Sequence, residues 1–258
     1  MRYFSELAYR GTNFNGWQRQ PNAPSVQQAI EEAMATILGS PIEVVGCGRT
    51  DTGVHASQYF LHFDLEGGFP KEFLRRLNKL LPPDIAIRSI FEVAPDAHAR
   101  FGAVRRSYEY HIVLDKNPFG ADTTWHFPFF DKLDLEKTQA AAALLLGYGE
   151  FQPFCKSNTD VHTMECTLFR SEWVHDKAGR RLVFHISANR FLRGMVRLIV
   201  GMCLNVGLDK VGLDEVRHAL DQQVLLKKSW SVPPAGLFLT EVAYEGQLVE
   251  LGKLVESS

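Results

Sequence analysis

The sequence has no apolar run near the roughly 18 to 20 residues that a membrane span needs. Its opening, Met1-Arg2-Tyr3-Phe4-Ser5-Glu6, carries no apolar signal-peptide core. Cysteine is scarce: Cys47, Cys155, Cys166 and Cys203 are the only four, and no two form a Cys-x-x-Cys pair. This favours free thiols in a cytoplasmic protein over a disulfide framework or a zinc site. Cys155, His162 and Cys166 are conceivable metal ligands, but their spacing fits no usual pattern. Low-complexity linkers are absent. Charge is nearly balanced at −2, which by itself does not point to nucleic acid.

What is present suits a soluble globular protein. The 258 residues are 45% hydrophobic and 22% charged, enough for one large domain or two small ones. Positive residues cluster as Arg75-Arg76-Lys79, Arg100-Arg105-Arg106, Arg190-Arg193-Arg197 and Lys227-Lys228, while acids are scattered. A charge cluster is commonly a solvated face, so each group alone says little.

The chain is organised around Gly46-Cys47-Gly48-Arg49-Thr50-Asp51-Thr52-Gly53-Val54-His55-Ala56. Its glycines allow sharp turns and close approach to a ligand. An apolar run from Ile42 to Val45 leads in, and an alternating run from Gln58 to Asp64 leads out. Asp51 is therefore expected at a strand-to-loop boundary with scaffold on both sides. Three readings stand. Asp51 could bond nearby amides in an ordinary turn. It could belong to an aspartic protease, but that chemistry needs a second carboxylate, and no other Asp-Thr-Gly or Asp-Ser-Gly exists in the chain. It could be a lone nucleophilic or basic carboxylate kept ionised by an arginine.

Periodicity predicts a strand over residues 2 to 9. A helix follows, opened by a Ser25-x-x-Gln28 capping box and closed by Gly39-Ser40-Pro41. Next come a strand with Tyr59, Leu61 and Phe63 on one face, a helix from Phe73 to Leu81 stopped by Pro82-Pro83, and a strand from Asp84 to Val93. This order suggests a split βαβ unit. The second half repeats it loosely. A strand over Ser107 to Leu114 puts Tyr108 beside Tyr110 and Ile112, and a helix spans Leu135 to Leu146. Strands around Val161 to Val174 and Arg181 to Ser187 come next, then helices over about Phe191 to Val206 and Leu213 to Leu225, and a last strand over Leu237 to Tyr244.

As one helix, 191–206 sets Phe191, Leu192, Met195, Val196, Ile199 and Cys203 on one face. Arg190, Arg193 and Arg197 then fall opposite, within roughly 60° of one another. Such a stripe is either a solvated face or the lining of a groove. A division near residue 103 gives lobes 1–103 and 104–246 and a tail over 247–258. A cleft is expected between the lobes, with Asp51 facing the arginines across it.

Taken in order, eight blocks resemble the tRNA pseudouridine synthase A family over about Tyr3 to Tyr244. They are Gly11-Thr12-x-Phe14-x-Gly16-Trp17-Gln18-x-Gln20; Ser25-Val26-Gln27; Gly48-Arg49-Thr50-Asp51-x-Gly53-Val54-His55-Ala56; Asn78-x-x-Leu81-Pro82-x-Asp84-Ile85; Ala99-Arg100 with Arg106-x-Tyr108-x-Tyr110; Phe151-x-x-Phe154-Cys155; Phe191-Leu192-x-x-Met195-Val196-Arg197; and Pro233-Pro234-x-Gly236-Leu237-Phe238-Leu239. The resemblance implies a pseudouridine synthase fold, α/β (α+β): two similar lobes, a largely antiparallel sheet and a central catalytic cleft. It also implies an obligate homodimer that isomerises uridines 38, 39 and 40 in the anticodon arm of tRNA, without cofactor or metal. Carried over, the catalytic aspartate is Asp51, with Arg49, Tyr108 and Arg197 as its catalytic company. Tyr108, Arg49, His55, Arg190, Arg193 and Leu237 become substrate contacts.

Two departures from the family pattern leave room for altered site choice. Arg10 stands where the family has aspartate, and Gly149-Glu150 stands where it has His-Asp. A non-catalytic tRNA-binding protein of the same fold is the rival reading.

Overall fold

A computed structural model describes residues 1–156 and 163–245. The expectations for Val161, His162 and the tail lie outside them. The chain divides into two compact units, Met1–Arg105 with Phe238 onward, and Arg106–Leu237. In chain order the elements are β1 (Arg2–Tyr9), α1 (Val26–Leu38), β2 (Val45–Gly46), β3 (His55–Asp64), α2 (Phe73–Leu80) and β4 (Ile85–Glu92), then β5 (Ala103–Val113), β6 (Trp125–His126), α3 (Leu135–Leu144), β7 (Leu168–Asp176), β8 (Arg181–Ala188), α4 (Met195–Gly207), α5 (Leu213–Asp221) and β9 (Leu237–Tyr244). No helix among the described residues is long and apolar enough to cross a membrane.

In the first unit β1 pairs antiparallel with both β3 and β4. The short β2 is antiparallel to β3, and β9 runs parallel to it, with His55 opposite Phe238. That parallel pairing explains one difference from the division near residue 103. The last strand packs with the first unit, although it follows the second in sequence. α1 is capped as its sequence predicts, with Ser25 Oγ accepting from the Gln28 amide and Gly39 left-handed at the C-terminus. The reciprocal bond, from the Ser25 amide to Gln28 Oε1, is not among the hydrogen bonds of the described residues, and Gln28 Nε2 donates to Glu32 at 2.8 Å. β3 begins three residues earlier than its alternating run, and it buries both faces from Tyr59 to Phe63. On the second face lie Phe60 and His62, within an aromatic cluster that includes Phe4 and Tyr244.

In the second unit β5, β8 and β7 form an antiparallel sheet, with β6 briefly parallel to β5. Tyr110 and Ile112 are fully buried, as period two predicts, and Tyr108 is half-buried. α3 ends at Leu144 in a tighter turn over Leu145–Gly147, and α5 ends at Asp221. The largest correction concerns α4. It begins at Met195, because Gly194 holds φ at 72° and a left-handed residue cannot sit inside a right-handed helix. Arg190 and Arg193 therefore precede the helix, and only Arg197 lies on it. The three do not form a helical stripe. α4 is buried nearly all round, the mark of a core helix rather than an amphipathic one.

Candidate active site

The Asp51 loop is held from several directions. In its backbone the Cys47 amide donates to Phe60 (2.8 Å), the Val54 amide to Asp51 (3.1 Å) and the Gly53 amide to Phe14 (3.3 Å). The Trp17 amide donates to the Thr50 carbonyl at 3.3 Å. This contact needs Gly16: its φ is 86°, and a Cβ there would run into the Thr50 carbonyl oxygen. Two phenols tie the segment from beneath. Tyr59 Oη donates to the Gly48 carbonyl at 2.5 Å, and Tyr9 Oη shares a 2.9 Å hydrogen bond with Thr50 Oγ1. The Trp17 ring stacks on Tyr59 with centroids 4.2 Å apart.

On this support Arg49 and Thr52 are exposed and Asp51 is half-exposed. Within its own unit, among the described residues, the Asp51 carboxylate has no hydrogen-bond or ion-pair partner. Its lone pairs are open to a reacting group there. His55 lies inside the unit, not on its surface. It is 1% exposed, its ring stacks on Phe238, and its Nδ1 accepts the Gly11 amide at 3.0 Å. Accepting through Nδ1 requires that nitrogen to be unprotonated. The geometry thus makes His55 a tie between the loop and the turn after β1.

The other predicted residues belong to the second unit. Tyr108, on β5, meets the Phe191 ring edge-on at 5.1 Å. Arg197 Nε donates to the Val232 carbonyl at 2.6 Å, and the Val232 amide donates back to Arg197 at 3.3 Å. The next carbonyl, Pro233, accepts from Tyr110 Oη at 2.7 Å. Burial raises the pKa of this phenol above the usual tyrosine range, and the Arg197 charge opposes the shift. Leu237 is buried at the start of β9. Arg193 is exposed, and its carbonyl accepts the Lys156 amide. Arg190 is half-buried near Cys166, whose thiol burial pushes up to about 11 against the Arg190 charge. All four cysteines are free thiols. No cluster of potential metal ligands occurs among the described residues.

Arg10 pairs with Asp84 at 2.7 Å, and Asn13 donates to the other carboxylate oxygen at 2.9 Å. Burial works against ionisation of Asp84, but those hydrogen bonds and the Arg10 charge outweigh it, and its pKa falls. Gly149 and Glu150 are exposed, and the backbone of Glu150 pairs antiparallel with that of Glu165. Sequence reasoning missed Tyr9 and Tyr59 as supports of the loop. Period two identifies Tyr59 as core, but nothing local says where its hydroxyl goes.

A profile of the tRNA pseudouridine synthase family matches residues 141–245. The chain is 44% identical over 250 residues to the tRNA pseudouridine synthase A of Porphyromonas gingivalis, covering 96% of this chain and 98% of that one. It is 43% identical over 251 residues to the protein of the same name from Bacteroides fragilis, with 96% and 98% covered. For that of Listeria monocytogenes serotype 4a the identity is 36% over 251 residues, with 95% and 99% covered.

Proposed function

Because the chain belongs to the tRNA pseudouridine synthase A family, we propose that it isomerises uridine to pseudouridine at positions 38, 39 and 40 of tRNA. Asp51 is the reacting carboxylate. In the reaction the C1′–N1 bond breaks, the uracil turns, C1′ joins C5, the C5 proton leaves and N1 gains a proton. A carboxylate can attack covalently or remove a proton, and both roles need it ionised and close to a base taken out of its stack. The observation that carries the reading is Asp51 itself, half-exposed on a loop pinned by its backbone and by two phenols. A reacting group must be held in place by its surroundings before substrate arrives.

The other roles follow by chemistry. Arg197 supplies the permanent positive charge that keeps the reacting carboxylate ionised, which a guanidinium does more dependably than an amine. Tyr108 offers a ring for the uracil and a hydroxyl for the C5 proton. Arg49, exposed two residues before Asp51, holds the target's phosphate or fills the gap left by the flipped base. Arg190, Arg193 and the remaining basic groups hold the tRNA backbone, which makes affinity depend on salt. The reading includes a cytoplasmic homodimer that needs no cofactor.

The test is release of tritium from tRNA labelled at uridine C5, followed by mapping of pseudouridine in the product. Release at positions 38 to 40 supports the proposal. Binding of tRNA without release would leave a non-catalytic RNA-binding protein.

A further inference from the structure

Beyond the catalytic loop, the first unit builds an unusually well-tied turn over residues 98–102. The His62 side chain, on β3, accepts the Ala99 amide through Nδ1 at 3.1 Å. His98 Nδ1 accepts the next two amides, Arg100 at 3.1 Å and Phe101 at 3.2 Å. The Gly102 amide returns to the His98 carbonyl at 2.9 Å, and Tyr244 Oη donates to the Ala99 carbonyl at 2.7 Å. Arg2 fixes the approach through the Ala97 carbonyl at 3.0 Å. Burial pushes His62 down to about 4, and it lowers His98 as well. Both rings are therefore neutral acceptors at neutral pH.

This rigid turn presents Phe101 outward, 77% exposed. The ring is braced on one side by His98, at 4.4 Å between centroids, and the Arg100 guanidinium lies 5.5 Å from its centre. The hydrogen bonds of the turn fix the backbone from which the ring projects. A fixed, solvated aromatic ring beside an exposed arginine matches a nucleotide, whose base stacks on the ring and whose phosphate meets the guanidinium. A second copy of the chain fits less well. One ring and one arginine are far smaller than the about 1,200 Å² that a stable protein interface buries, whereas one base needs only the ring.

We propose that the 98–102 turn is a stacking platform for an unpaired base of the RNA substrate, with Phe101 as the stacking ring and Arg100 as the phosphate contact. The proposal rests on the tRNA reading above and adds a binding subsite to it.

The experiment measures tRNA binding by the full chain over a series of salt concentrations, with tritium release measured in parallel. Phe101→Ala weakens binding about tenfold, within the range for loss of one stacked base, while Phe101→Trp restores it. Arg100→Gln lowers the slope of log affinity against log salt by about one. If wild type turns over tRNA and Phe101→Ala binds as tightly as wild type, the platform is wrong and the catalytic reading stands. If Phe101→Ala instead dissociates a dimer in sedimentation equilibrium with tRNA affinity per subunit unchanged, the face belongs to a second copy and the proposal is overturned. A wild type that neither binds nor modifies tRNA sinks the catalytic reading first.

Discussion

The Tyr59 hydroxyl donates to the Gly48 carbonyl at 2.5 Å, three residues before Asp51. Tyr9 holds Thr50 at 2.9 Å, immediately before it. The carboxylate thus sits at the end of a short segment fixed twice by phenols that bond its neighbours in the chain. Tyr59→Phe keeps the ring and its stacking on Trp17 but frees the carbonyl. Stability should fall by about 1 kcal/mol, and kcat by about tenfold through misplacement of Asp51, with tRNA affinity unchanged. Steady-state kinetics beside a binding titration checks this. An unchanged kcat would mean that the backbone bonds alone place the loop.

Arg197 combines a structural bond to Val232 with its proposed electrostatic role. Substituting Met keeps the stem and removes the charge. Turnover should fall much more than tRNA affinity. Equal loss of both would make Arg197 a binding residue.

The start of α1 separates two halves of one sequence signal. Ser25→Ala removes the acceptor of the Gln28 amide and should cost about 1 kcal/mol in urea unfolding. Gln28→Ala should cost only a few tenths of a kcal/mol, because its side chain bonds to Glu32 and not to the cap. A large cost at Gln28 would mean that the reciprocal bond forms in solution.

His62 makes stability depend on pH in a defined window. Its pKa in the folded protein is about 4 against an ordinary 6.5, lowered first by burial, then by His98 and Arg2, with Asp64 opposing. The folded state therefore binds fewer protons than the unfolded one between those values. Stability is full above about 6.5, falls as pH drops through the window, and levels off below about 4. His98, also lowered first by burial, adds to the same trend. Glu109, depressed first by its hydrogen bond to His111, loses its contribution only as pH falls below its ordinary 4.5. Urea unfolding at pH 7, 5.5 and 4.5 should show the loss, and His62→Gln should flatten it. An equal slope in both proteins contradicts the assignment.

Much of the architecture was legible from local pattern. Ser25 and Gly39 bound α1 because caps are local chemistry, and β9 runs from Leu237 to Tyr244 as its sequence predicts. The Asp51 loop was legible as a loop because glycine spacing and the flanking apolar runs are local too. What failed depended on a backbone angle that apolar spacing does not report and on distant partners. Apolar spacing from Phe191 onward fits a helix, yet Gly194 takes a left-handed angle and delays α4 to Met195. Helical period therefore misplaced Arg190 and Arg193. The alternation of β3 read as one buried face, because the aromatic cover on its second face comes from Phe4 over His62 and from Tyr244 over Phe60, 184 residues later in the chain. The hydroxyl destinations of Tyr9 and Tyr59 were illegible for the same reason.

The most direct test replaces the carboxylate alone. Asp51→Asn preserves size and the backbone bonds of the loop but removes the charge and the proposed nucleophile. The account predicts no tritium release from C5-labelled tRNA, with tRNA affinity retained. Release near the wild-type rate would contradict it, and the reacting group would have to be sought elsewhere.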